Sequence, residues 1–121
     1  MDSRHELGKR AESEAAQWFS RQFQARLLAR NYARRYGEID LVFEIQSAEE
    51  APELVFVEVR ARTAGGWVNG VESVTPRKRA RLSRTIAHFL AMYRGHARSA
   101  RFDIMAWDGH AWTHLKNVWL D

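Results

Sequence analysis

Residues 54–60, LVFVEVR, constrain the fold more than any other segment of the 121-residue chain. Val55, Val57 and Val59 recur at the period of a strand and make one face uniformly apolar. The other face begins with Leu54 and Phe56, so the segment starts as a strand buried on both sides. It then changes character, because Glu58 and Arg60 stand where the pattern calls for hydrocarbon. A second segment behaves alike. YGEIDLVFEI, residues 36–45, sets Ile39, Leu41 and Phe43 on one face and Glu38, Asp40, Val42 and Glu44 on the other. A buried carboxylate is costly unless it is paired, hydrogen-bonded or bound to a cation, so these acids need a purpose.

The first helix poses the same question. Over Leu7 to Phe23, Gly8, Ala15, Ala16, Phe19 and Phe23 form one stripe at about 100° per residue, and Glu12 lies in its middle. Glu14 points instead to the polar side with Arg10, Gln17 and Arg21. Next, ARLLARNYARR reads as a short strand with a turn-like Asn31, and Gly37 punctuates before the second strand. The polar QSAEEAPE loop makes a hairpin of strands two and three. TAGGWVNG is a glycine-rich connection, after which Thr75 as N-cap and Pro76 announce a second helix. Leu82, Ile86, Phe89, Leu90 and Tyr93 give that helix its apolar face, and Gly95 is expected to end it. RFDIMAW is a fourth strand, Asp108-Gly109 a tight turn and AWTHLKNVWL a fifth. The order α-β-β-β-α-β-β predicts an α+β (or α/β) domain with a central mixed sheet flanked by helices, residues 1–121 forming one unit.

Composition narrows the chemistry. A hydrophobic fraction of 45% with 12% aromatics indicates a folded globule. The absence of cysteine excludes disulfides, thiolate catalysis and Cys-based zinc sites. The net charge is +4 and the pI about 10.0, which points to an anionic partner such as nucleic acid. The N-terminus lacks the apolar stretch of a signal peptide, and LVFV is far too short to span a bilayer. The expectation is a soluble, cytoplasmic protein with no membrane partner.

Asp40 and Glu58 on adjacent strands, with Glu12 on the apolar stripe of the first helix, are the residue types that hold a hard divalent ion through oxygen. Pairing with the plentiful arginines is the other use for such acids. Arg77, Lys78, Arg79, Arg81 and Arg84 crowd the first turns of the second helix, where they oppose its macrodipole and where a bound phosphate would reverse that cost. Trp67, in the glycine-rich connection, could stack on bases or anchor its loop. His110 and His114 fall in a turn and a strand and read as surface or packing residues.

These motifs together resemble the YraN family of small bacterial proteins. The resemblance rests on Gly8, Glu12 and Ala15, on Asn31-Tyr32, on GEIDLV from Gly37, LVFVEVRAR from Leu54, SVTPRK from Ser73 and RFDI from Arg101. It implies a restriction-endonuclease-like fold of the PD-(D/E)XK nuclease superfamily, which includes archaeal Holliday-junction resolvases. It further implies that Asp40 and Glu58 bind Mg²⁺ or Mn²⁺, that Glu12 matches the helix glutamate of the resolvase-like branch, and that Arg60 stands at the basic position. DNA would then be the partner and a homodimer is allowed. Ile39 replaces the motif's proline, and Arg60 replaces its lysine. Arginine stays protonated, so Arg60 can hold phosphate or water but cannot transfer a proton. The alternative is a catalytically inactive nucleic-acid-binding or protein-interaction module on the same fold.

Overall fold

A strand that is apolar on both faces has to be covered on both, and the computed structural model shows how. It describes residues 4–46, 49–61 and 75–118, with the backbone alone for residues 4 and 5. Trp67 and the rest of the glycine-rich connection lie outside the described residues, as does Trp119. The elements are α1 (Arg4–Gln22), β1 (Ala25–Arg34), β2 (Gly37–Ile45), β3 (Glu53–Ala61), α2 (Pro76–Met92), β4 (Ser99–Trp107) and β5 (Trp112–Leu115). This is the expected α-β-β-β-α-β-β order.

The five strands form one sheet in the order β1-β2-β3-β4-β5. The β1-β2, β2-β3 and β4-β5 pairs are antiparallel, and β3-β4 is parallel. A parallel pair requires a crossover, and α2 lies within it. Phe19 and Ala15 of α1 pack on Leu41, Phe43, Val55, Val57 and Met105. Leu82 of α2, with Ile86 and Phe89, packs on Val42, Leu54, Phe56, Phe102 and Ile104. Since neighbouring strand residues fall into different clusters, the helices cover opposite faces.

Four details differ from the sequence expectation. β1 is ten residues long and passes through Asn31, which takes φ of 51° without turning the chain. Its register with β2 shifts between Leu27 and Ala29, a bulge that frees Leu28 to pack in the α2-side cluster. α2 stops at Met92 with Tyr93 as its cap, before Gly95. Gly95 serves a different need, because a Cβ there would collide with the Tyr93 ring. β5 is only four residues long, and Asn117 at φ of 57° follows it.

Two buried acids are structural. Glu44, 5% exposed, accepts hydrogen bonds from Tyr93 Oη and from Gln46 Nε2, both at 2.7 Å, and pairs with Arg26 at 3.4 Å. The Tyr93 hydroxyl in particular holds its carboxyl below the usual range. Asp103, fully buried on β4, accepts from His114 Nε2 (2.7 Å), Asn117 N (2.9 Å) and Arg101 Nε (3.1 Å). His114 is therefore a packing residue, its ring also edge-on to Trp18, Phe19 and Phe23. Burial pushes the Asp103 carboxyl up, but the bonds from His114, Asn117 and Arg101 outweigh it and hold it below 3.8. Its contribution is thus complete above pH ~4 and is lost as pH falls through the folded pKa. Asp103→Ala strands three donors and is expected to cost about 3–5 kcal/mol. Urea unfolding at pH 7 measures it, and a loss under about 1 kcal/mol would mean the cluster is dispensable.

Candidate active site at the fork of β2 and β3

The β2-β3 ladder runs from Ile45↔Glu53 to Leu41↔Val57 and goes no further. One step beyond, the Val59 N–H donates to Asp40 Oδ2 at 2.7 Å. A side-chain carboxylate has replaced a ladder carbonyl, and the strands part around it. The apolar pattern slips at the same place: Ile39 packs with Val42 on the α2 side, not with Leu41 and Phe43 as alternation predicts. The fork thereby creates a recess at one end of the sheet.

Glu58 lines that recess together with Asp40. Burial, followed by repulsion from Glu58, raises Asp40 from 3.8 to about 8. Glu58 is raised as well, by burial, with Arg60 opposing. Two carboxyls buried side by side cannot both ionise cheaply.

Glu12 comes to the same region from α1. It is partly buried whereas Glu14 is exposed, as the helical period requires. With the amide oriented so that both bonds form, Asn31 donates from its side-chain nitrogen to Glu12 Oε1 (3.0 Å) and Glu38 Oε1 (2.9 Å). The left-handed backbone of Asn31, a conformation asparagine tolerates better than most residues, thus sits where two acids need a neutral donor. Burial raises the Glu12 carboxyl, the Asn31 bond and the Arg30 charge partly offsetting it.

Cations face the acids. Glu58 Oε1 receives Lys78 Nζ at 2.9 Å and Arg60 Nη2 at 3.2 Å. Arg60 Nε is buried and makes no hydrogen bond. A cleft of about 510 Å³ opens between the fork and α2, lined by Asp40, Glu58, Thr75, Arg77, Lys78 and Arg81 among others. α2 starts there cleanly, with Thr75 Oγ1 accepting from Lys78 N at 3.2 Å and no acid in the first turn. Gly37 allows the close approach: a Cβ on it would lie 2.8 Å from Thr85 Oγ1 and 3.2 Å from the Arg81 carbonyl.

Of the expected site residues, the structure brings together Glu12, Asp40, Glu58 and Arg60. It moves Lys78 from the group read as backbone contacts into the acid cluster. Arg77 and Arg81 line the cleft, Arg84 lies one groove away, and Arg79 is partly buried on the same helix. Asn31 was missed as a site residue. Its only sequence signal is an asparagine inside a strand-like run, which reads more readily as a turn.

Among the described residues no cluster of three or more His, Cys, Asp or Glu side chains forms a ready-made metal cage. The acid pair alone fits a magnesium-type ion, which commonly takes one or two carboxylates and fills its other positions with water and phosphate. Two acids brought together in one recess mark a point where positive charge is favoured.

An α+β fold with a carboxyl pair in a strand fork, faced by the basic start of a helix, is the class of protein defined so far. The chain belongs to the Uncharacterised protein family UPF0102, whose pattern matches residues 11–107. It is 39% identical over 107 residues to a UPF0102 protein of Bordetella avium, covering 88% of this chain and 70% of that one. Identity is 46% over 83 residues with a UPF0102 protein of Halorhodospira halophila, covering 69% and 62%. With one of Moorella thermoacetica it is 41% over 96 residues, covering 79% and 67%. The chain therefore spans between 62% and 70% of these relatives' lengths. No helix of the described residues is long and apolar enough to cross a membrane.

Asp40 keeps its proton to about pH 8 when folded and loses it near 3.8 when unfolded. The folded state thus holds more protons across that interval, and stability falls as pH rises through it. Asp40→Asn keeps an acceptor for Val59 N–H and removes the charge. It is expected to be more stable than wild type at pH 8 by at least about 1.4 kcal/mol, one pKa unit's worth, the gain vanishing near pH 4. Denaturant melts at both pH values decide it. An Asn variant less stable at pH 8 would mean that the ionised pair stabilises the fold.

Proposed function

We propose that this protein is a metal-dependent nuclease-like enzyme acting on the phosphodiester backbone of DNA. One observation carries the reading: Asp40 and Glu58 line one recess whose opposite wall is the basic start of α2, with Lys78 Nζ 2.9 Å from Glu58 Oε1. Acids for a cation and cations for a phosphate, a few ångströms apart, suit a phosphodiester and few other substrates.

Asp40 and Glu58 would hold Mg²⁺ or Mn²⁺. The bound ion would supply Lewis acidity towards a phosphoryl oxygen. Lys78 and Arg60 hold the phosphate and balance its charge, and the unbonded Arg60 Nε is a buried donor ready for an oxygen. Glu12, positioned through Asn31, adds negative charge that strengthens the cation site. Arg77 and Arg81 hold the backbone with little regard to sequence. The superfamily resemblance of GEIDLV and LVFVEVR supports the same roles.

A rival reading, a binding module without catalysis, has one observation in its favour. Lys78 already occupies Glu58 Oε1, the oxygen that an ion would take. Lys78→Met separates the two. The nuclease reading expects tighter Mn²⁺ binding by calorimetry, because a competitor is gone, together with weaker DNA binding and slower cleavage.

The direct test is cleavage of linear, nicked and four-way DNA with Mg²⁺, Mn²⁺ or EDTA. Wild type is expected to cut at least one substrate in a metal-dependent way. Asp40→Asn and Glu58→Gln are each expected to lose on the order of a hundredfold or more, the scale of removing one charge-stabilising group. A wild type that binds these DNAs but neither cuts them nor takes up Mn²⁺ would hand the case to the rival.

A further inference from the structure

A second groove, of about 600 Å³, adjoins the acid cleft and shares Gly37, Glu38 and Arg81 with it. Its walls are the β1-β2 turn, with Arg34 and Arg35, and α2, with Arg81 and Arg84. Four arginines line it, and among the described residues none of the four is in an ion pair with a carboxylate.

Two of them are held in place without a carboxylate. Arg34 donates from Nη1 to the Ala33 carbonyl (2.7 Å), from Nη2 to Tyr32 Oη (2.9 Å) and from Nε to His88 Nδ1 (3.1 Å), with its guanidinium 4.4 Å from the Tyr32 ring centre. Arg84 lies 4.4 Å over the ring of Tyr36. Aromatic faces and hydroxyls fix the geometry of a guanidinium without cancelling its charge. Clustered, oriented and uncompensated arginines form an anion site, and their planar forks suit phosphate. Glu38 is the acid on the shared rim, and it accepts from the Asn31 amide.

We propose that this groove is a second phosphate-binding site that holds nucleic-acid backbone flanking the phosphodiester in the acid cleft. The proposal rests on the nuclease-like reading of that cleft. Glu38 and Arg81 line both clefts, so a strand seated at Asp40 and Glu58 reaches the arginines past these two residues. Arg34, Arg35 and Tyr36 thereby become binding residues beside the basic helix.

The test is binding of fluorescein-labelled duplex DNA in EDTA, with affinity followed against salt. Arg34→Ala/Arg35→Ala is expected to lower the slope of log affinity against log salt by about 1.8, two contacts at ~0.9 each. Arg34→Lys/Arg35→Lys keeps both charges and is expected to retain the slope. Arg94→Ala/Arg98→Ala removes the same charge beyond the other end of α2 and is expected to leave the slope unchanged. Equal losses for both alanine pairs, or no loss for Arg34 and Arg35, overturn the groove. So does competition by polyglutamate as effective as by DNA, since that marks a site for acidic protein. Failure of the two readings is distinguishable. If Asp40→Asn abolishes cleavage while the Arg34/Arg35 slope stays at the wild-type value, the groove falls and the acid cleft stands; the converse result removes the cleft's chemistry and keeps the groove.

Discussion

Where β2 and β3 part, a carboxylate stands in for a main-chain carbonyl. The Val59 N–H would face an unpaired fate beyond Leu41↔Val57, and Asp40 Oδ2 takes it at 2.7 Å. Much follows from that substitution. Asp40 is anchored by the backbone of the neighbouring strand, so its position does not depend on side-chain packing. Glu58, one residue before Val59, is brought against it. The recess exists because the ladder ends there, and Glu58 is tolerable because Lys78 and Arg60 meet it.

α2 is fastened to the sheet at both ends by polar contacts, with apolar packing between. At its start Lys78 reaches Glu58, and further along Gly37 admits Arg81 and Thr85. Past its end the Tyr93 hydroxyl reaches Glu44 and accepts from the Ala97 N–H. The helix therefore keeps a set height along β2, and its basic first turns stay opposite the acid pair. Glu44, buried, and Asp40, partly buried, occupy the same strand but do different work. One is satisfied by neutral donors and an arginine, and the other faces a second acid.

Much of this was legible in the residues. Alternation in LVFVEVR and GEIDLVFEI located the strands and marked Asp40 and Glu58 as misplaced acids. The helical period separated Glu12 from Glu14, and exposure agrees. What stayed hidden depends on three-dimensional approach. Gly95 looked like a helix terminator, yet the Tyr93 ring demands it. Lys78 looked like one basic residue among several, because a single sequence cannot say which of them reaches a β-strand. Asn31 looked like a turn, since a left-handed residue inside a strand has no periodic signature. Glu44 and Asp40 shared one alternating face, and only their partners tell them apart.

The parallel pairing of β3 and β4 carries a consequence for how the molecule assembles. β1, β2 and β3 follow one another as antiparallel neighbours, so their contacts close short loops. Placing β4 beside β3 means first closing the whole span from Ala61 to Ser99, α2 included. Longer closures are dearer in chain entropy and come later on that ground. Asp40 and Glu58 both belong to the early meander, whereas Lys78 arrives with the crossover. The nascent chain thus brings its acids together with Arg60 alone as counter-charge, and Lys78 completes the pairing only when the crossover closes.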